Sequence, residues 1–229
     1  DTWLSPDSRR LVFGADEAGG KGDLWIRDFD RGTTTRFTFE PERDFAPAWS
    51  PDGRRIAFST QGKAWDLHVK DAAGTGEPQV LLETAEDKFV TDWSRDGAHI
   101  VFASRGADTS WDLWGLKMAA GEERKPFPLR KTKFAELNGM VSPDGRFLAY
   151  QSNESGRPEI YIQAFPGPGG KWQASTAGGR EPKWRADGKE RRGHGQLELG
   201  CRDRCAFDHG AIDRRRRDDA QPEPAQRHR

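Results

Sequence analysis

Residues 49–58 read Trp49-Ser50-Pro51-Asp52-Gly53-Arg54-Arg55-Ile56-Ala57-Phe58, and the rest of the chain repeats the phrase. Trp93-Ser94-Arg95-Asp96-Gly97 leads into His99-Ile100-Val101-Phe102, and Val141-Ser142-Pro143-Asp144-Gly145 leads into Phe147-Leu148-Ala149-Tyr150. Leu4-Ser5-Pro6-Asp7-Ser8 before Leu11-Val12-Phe13 is a worn copy, and Trp184-Arg185-Ala186-Asp187-Gly188 opens a fifth. The turn aspartates Asp7, Asp52, Asp96, Asp144 and Asp187 are spaced by 45, 44, 48 and 43 residues. A fixed period in this range marks a repeat architecture.

The physics of one copy is that of a tight connection. Pro sets φ at the second turn position, Asp tolerates the third and bonds nearby backbone, and Gly takes the left-handed conformation. Apolar residues on both sides make the unit a hairpin of the longer-loop kind. A second signal follows each of the first four turn aspartates by 14 to 16 residues: Asp23-Leu24-Trp25-Ile26, Asp66-Leu67-His68-Val69, Asp112-Leu113-Trp114-Gly115 and Glu159-Ile160-Tyr161-Ile162. These are short strands rich in aromatic and branched residues. Weaker strands follow at 35–38, 79–82, 126–129 and 172–175. Four short strands in about 45 residues are one propeller blade. The alternative, a β-sandwich whose hairpins resemble one another by chance, does not account for two signals that keep step four times.

The expected fold is therefore all-β: a β-propeller of four-stranded blades over 1–190, with four blades and a truncated fifth in an incomplete ring. The blades fall at 1–39, 45–83, 89–130 and 136–176, with the fifth beginning at 181–190. The Trp-Ser strand of each comes first and lies innermost. The repeat is carried by Asp7, Trp49, Asp52, Gly53, Trp93, Asp96, Gly97, Asp144, Gly145, Trp184, Asp187 and Gly188.

Charge is balanced at 37 basic against 37 acidic residues, which gives no reason to expect nucleic acid or an anionic membrane. No apolar run approaches the roughly 18 residues of a membrane span. The chain opens on Asp1 without a signal-like segment, so it is expected to be part of something longer. From Arg191 the text changes: 191–229 holds ten Arg, both Cys and three of the five His, but no Trp, Tyr or Val. Such a tail reads as solvated and disordered. Its abrupt start in mid-repeat suggests a shifted reading frame near Glu190.

Motifs for chemistry are weak. His194, Cys201, Cys205 and His209 are zinc-ligand types, but their spacing is not that of a finger. Gly19-Gly20-Lys21-Gly22 and Gly169-Gly170-Lys171-Trp172 lack the spacing and following helix of a phosphate loop. Neither a Gly-x-Ser-x-Gly elbow nor a kinase catalytic signature occurs. The sequence thus gives no catalytic residue, no metal site and no cofactor. Asp23, Asp66 and Asp112 recur at one blade position, which suits a capping or interstrand role better than acid–base work. What remains is the surface. Asp44, Asp92, Asn138 and Lys183, at or just before the inner strands, are candidates to line the channel mouth. Their mixed charge suits a peptide or sugar; the plainer alternative is a set of solvated loop residues.

The unit Pro47-Ala48-Trp49-Ser50-Pro51-Asp52-Gly53, with Ile56-Ala57-Phe58 and Asp66-Leu67-His68-Val69, resembles the TolB-like (WD-like) β-propeller repeat, and the resemblance covers 1–190. The fourth blade, from Ser142-Pro143-Asp144-Gly145 through Gln151-Ser152-Asn153-Glu154-Ser155-Gly156-Arg157 and Phe165-Pro166-Gly167-Pro168-Gly169-Gly170-Lys171-Trp172 to Pro182-Lys183-Trp184-Arg185, resembles the propeller region that follows the membrane segment in many bacterial serine/threonine protein kinases. The resemblance implies a non-catalytic, extracytoplasmic or periplasmic module that binds a protein or peptide, the sensor region of such a kinase. The alternatives are the gating propeller of a prolyl-oligopeptidase-type serine peptidase and a free-standing periplasmic TolB-like scaffold. Ser8 stands where the family has the turn Gly, and Val141 where it has Trp. The family closes rings of six or more blades, so four and a fragment leave edge strands open, an aggregation liability.

Overall fold

Each Ser-x-Asp-Gly phrase folds into the same hydrogen-bonded knot. In the second copy the Ser50 hydroxyl donates to Asp52 at 2.5 Å and accepts the Arg55 N–H at 2.9 Å, while Asp52 accepts the Arg54 N–H at 3.0 Å. Ser5 with Asp7, Ser94 with Asp96 and Ser142 with Asp144 repeat the hydroxyl–carboxylate bond at 2.5–2.6 Å. Gly53, Gly97 and Gly145 take φ of +67°, +75° and +71°, and Ser8 is held in the same left-handed region at +60°. Both ends of the turn are thereby satisfied locally, and the flanking residues leave it as antiparallel strands.

The computed structural model describes residues 2–16, 22–106, 110–119, 124–167, 169–184, 197–199 and 205–207. Four sheets follow in chain order. The first holds β1 (Thr2–Leu4), β2 (Arg10–Asp16), β3 (Gly22–Asp28) and β4 (Thr33–Arg36). The second holds β5 (Asp44–Trp49), β6 (Arg55–Gln61), β7 (Trp65–Asp71) and β8 (Gln79–Leu82). The third holds β9 (Lys88–Trp93), β10 (His99–Arg105), β11 (Trp111–Lys117) and β12 (Pro126–Arg130). The fourth holds β13 (Glu136–Val141), β14 (Phe147–Ser152), β15 (Glu159–Ala164) and β16 (Lys171–Gln173). In every sheet the strands pair antiparallel in sequence order, and the described residues contain no helix. The fold is all-β, built of four-stranded propeller blades. Of the tail, the structure describes a backbone pairing of β17 (Leu197–Leu199) with β18 (Cys205–Phe207). The expectations placed on Asp187, Gly188, His194, Cys201 and His209 lie outside the described residues.

The outermost strand of the first blade differs from its expected position. It ends at Arg36, and Phe37 and Thr38 turn inward to be fully buried between blades. The first strands, β1, β5, β9 and β13, neighbour one another in turn and form the inner wall.

The core lies between blades. Val12, Leu24 and Phe37 of the first blade pack on Trp49, Ile56 and Phe58 of the second. Leu67 and Val69 pack on Val90, Trp93 and Ile100, and Val101 and Leu113 pack on Val141, Leu148 and Tyr150. Middle strands are covered on both faces, which is why β14 buries all six of its residues, the polar Gln151 and Ser152 included. The remaining face of the fourth blade, with Phe147, Ala149, Ile160 and Ile162, is covered in part by Trp172 and Trp184.

Candidate functional site

Two inner strands and the segment that follows the fourth blade carry a non-glycine residue in the left-handed region: Ala46 at φ +53°, Asn138 at +56° and Glu181 at +50°. The first two sit at register breaks, between Phe45 and Ala48 and between Leu137 and Met140. A bulge of this kind bends its strand and leaves a residue out of the ladder. All three residues line one cavity of about 360 Å³, together with Thr2, Trp3, Thr91 and Lys183. A second cavity of about 550 Å³ shares Trp3, Met140 and Lys183 with it and adds Asp92, Arg95 and the rings of Trp49, Trp93 and Trp184. Together they are the channel between the inner strands.

Asp92 is the charged centre of this channel. It is 7% exposed, and its Oδ2 accepts the Val141 N–H at 2.7 Å, tying β9 to β13. Burial pushes its carboxyl up to about 6, against the opposing pull of its backbone hydrogen bonds and of Lys183. Lys183 places its ammonium 4.1 Å from the centre of the Trp3 ring, so residues 181–184 reach across to the first blade. Surrounding protein atoms hold that ammonium below the ordinary lysine value although much of the residue is exposed; Asp92 and Glu181 act in the opposite sense. Asn138 donates from Nδ2 to Gln151 at 3.3 Å. The channel thus offers the carboxylates of Asp92 and Glu181, the Lys183 ammonium, the Arg95 guanidinium, the Asn138 amide and four indoles, with no nucleophile–base pair among these groups. That inventory suits recognition of a polar chain by hydrogen bonds and stacking.

Of the four residues singled out in the sequence, Asp92, Asn138 and Lys183 come together and Asp44 does not. Asp44 stands five residues before Trp49, whereas Asp92 stands one before Trp93. At about 3.3 Å per residue these positions lie about 13 Å apart along a strand. Asp44 accepts the Thr60 hydroxyl at 2.7 Å and lines a separate cavity on the second blade and the connector before it. Sequence reasoning also missed the indoles as channel residues, although their recurrence at the strand end was the available signal.

The recurring acids at the head of the third strand serve the connections between blades. Asp23 pairs with Arg36 at 2.6 Å, Asp66 with the buried Lys88 at 2.8 Å, and Asp112 accepts the Thr132 N–H at 3.2 Å. Glu159 accepts the Gly178 N–H at 2.9 Å and the Ser175 hydroxyl.

A wall of repeated inner strands around a channel defines a β-propeller. In sequence the chain is similar to TolB homologues, and in fold to solved TolB structures. The chain is 30% identical over 168 residues to the Protein TolB homolog of Chlorobium luteolum, a match covering 67% of this chain and 35% of that protein. It is 28% identical over 171 residues to the uncharacterized peptidase YuxL of Bacillus subtilis, covering 71% of this chain and 24% of that one. The chain therefore spans about a quarter to a third of the length of these curated relatives. Among solved structures, TolB from Acinetobacter baumannii superposes with a TM-score of 0.67 at 17% identity, over 86% of this chain and 50% of that one, a likeness of fold. No family model matches the chain.

Proposed function

We propose that this propeller is a non-catalytic binding module that takes a protein or peptide segment at its channel mouth. The observation that carries the reading is that Asp92, Asn138 and Lys183 line two adjoining cavities with four indoles, beside the strained residues Ala46, Asn138 and Glu181. Left-handed non-glycine residues cost free energy and cluster at ligand clamps. The mixed charge and aromatic lining favour a polar, partly apolar chain over a nucleic acid. Peptide display against the intact protein tests this. Selected peptides are expected to lose at least tenfold in affinity for Lys183→Glu and Asn138→Trp, and to keep it for Lys117→Glu on an exposed strand end. Equal binding to all three variants contradicts the assignment.

For the parent protein, the resemblance of the fourth blade favours the extracytoplasmic sensor region of a bacterial serine/threonine kinase. A second reading, the gating propeller of a prolyl-oligopeptidase-type peptidase, is favoured by the likeness to YuxL. The flanking gene sequence, read in three frames, separates them. Kinase signatures and a membrane span upstream support the sensor; a Gly-x-Ser-x-Gly segment downstream supports the peptidase; a signal peptide alone leaves a free-standing periplasmic scaffold. Blades resuming in another frame after Glu190 would make the Arg-rich tail a product of a frame shift.

A further inference from the structure

Asp44 lines a cavity of about 390 Å³ on the second blade and the connector that precedes it, which shares no lining residue with the channel. Six carboxylates surround it: Glu40, Glu42, Asp44, Asp66, Glu77 and Glu83, with His68 as the one basic side chain of the lining. Two of the six are already matched from behind, Glu40 by Lys70 at 4.0 Å and Asp66 by Lys88 at 2.8 Å. Glu42, Glu77 and Glu83 stand exposed at its edge.

The second, independent observation lies at its floor. Asp44 is 2% exposed; its Oδ1 is taken by the Thr60 hydroxyl, but its Oδ2 has no hydrogen-bond partner among the described residues. The Thr38 hydroxyl is nearby and favours the charged form without closing a hydrogen bond to Oδ2. A buried carboxylate oxygen left unpaired is costly and is ordinarily met by a donor. A bare metal ion does not fit: among the described residues no three acidic or His groups come close enough to hold one. Carboxylates spread over a cavity of this size instead match an extended organic cation with several N–H donors.

We propose that this cavity is a binding site for a guanidinium or ammonium group on a flexible stem, its head directed to Asp44 and its stem passing Glu77 and Glu83. Such a group comes either from a free diamine or from an arginine side chain of a polypeptide. The probes that separate the sources are agmatine and the capped tripeptide Gly-Arg-Gly, titrated into the full chain by calorimetry with the His68 ring signals followed by NMR. Saturable binding of at least one probe, with His68 shifting, is expected. In the double variant Glu77→Gln/Glu83→Gln, both substitutions being at exposed positions, affinity is expected to fall at least tenfold while the circular dichroism stays unchanged. Asp44→Asn is expected to weaken binding at least as much. Tighter binding of agmatine identifies a free amine, and tighter binding of the tripeptide a polypeptide side chain. Absence of saturable binding by both probes, or binding indifferent to the Glu77/Glu83 variant, overturns the proposal. Neither outcome bears on the channel, whose residues are untouched.

Discussion

The indole N–H of Trp184 donates to the carbonyl of Met140 at 2.8 Å, repeating the bond that Trp49 makes to Trp3 at 3.0 Å. In both cases an indole hooks onto the inner strand of the preceding repeat, Trp49 from the end of β5 and Trp184 from the segment after the fourth blade. Arg10 reinforces the first of these junctions, lying 4.6 Å over the Trp49 ring and donating to the Gly53 carbonyl at 2.9 Å. The fourth blade has Val141 at this position, and there Asp92 of the preceding blade takes the Val141 N–H instead. The channel carboxylate is thus also the joint between the third and fourth blades.

Trp49→Phe keeps the ring and removes the hooking donor, leaving the Trp3 carbonyl without it. The expected loss is about 0.5–1.5 kcal/mol of stability, the net worth of one hydrogen bond. Arg10→Ala should cost a comparable amount through its stacking and its bond to Gly53. Urea denaturation measures both; unchanged midpoints would remove the hook from the account.

Ser8 occupies the left-handed position that Gly53, Gly97 and Gly145 hold in the other turns. A side chain there costs about 1–2 kcal/mol, partly offset by the lower chain entropy of a non-glycine residue. Ser8→Gly is expected to stabilise the protein by up to about 1 kcal/mol, and Gly53→Ala to destabilise it by about 1 kcal/mol. No atom lies within 3.4 Å of a Cβ placed on Gly53, so its cost reports backbone strain alone. Opposite signs for the pair, measured by denaturant unfolding, are the expected outcome.

Two sets of carboxyls give stability opposite dependences on pH. Hydrogen bonds from the neighbouring serines and backbone hold Asp7, Asp52 and Asp96 below the ordinary value. In Asp144 burial acts upward but is outweighed by Ser142 and Arg146. With folded values below unfolded ones, these four stabilise the protein above about pH 4 and lose that contribution on acidification. Burial instead pushes Asp44 and Asp92 up to about 6 and Glu136 up to about 7. Their contribution is present below about pH 4 and is lost as pH rises through 6 and 7. Thermal unfolding should therefore peak near about pH 4–5 and decline toward pH 8. Glu136→Gln, which preserves an acceptor for Thr132, should flatten part of that decline, raising stability at pH 8 and leaving it nearly unchanged at pH 5.

The blades were legible because their signals are local. The Ser50–Asp52–Gly53 knot is made within five residues, and Asp66-Leu67-His68-Val69 is a strand by composition. The candidate site was half legible. The repeat aligns Asp92, Asn138 and Lys183 near the inner strands, and the structure places them along two adjoining cavities. Asp44 was misplaced because alignment alone does not say which end of a strand faces the channel mouth. The bulge at Ala46 carries no glycine to mark it, and the Asn138-Gly139 pair, a turn signal in itself, sits inside a segment that otherwise reads as strand.

Entry of a ligand into the channel, as proposed, is testable directly because the chain carries its own reporters. Trp3, Trp49, Trp93 and Trp184 line that cavity, whereas Trp25, Trp65, Trp111, Trp114 and Trp172 do not. Indole ¹⁵N–¹H NMR during titration with a display-selected peptide distinguishes the two groups. Shifts concentrated in Trp3 and Trp184, absent in Lys183→Glu, are the predicted result. Shifts confined to Trp65 and Trp111, with the channel indoles unmoved, would contradict it.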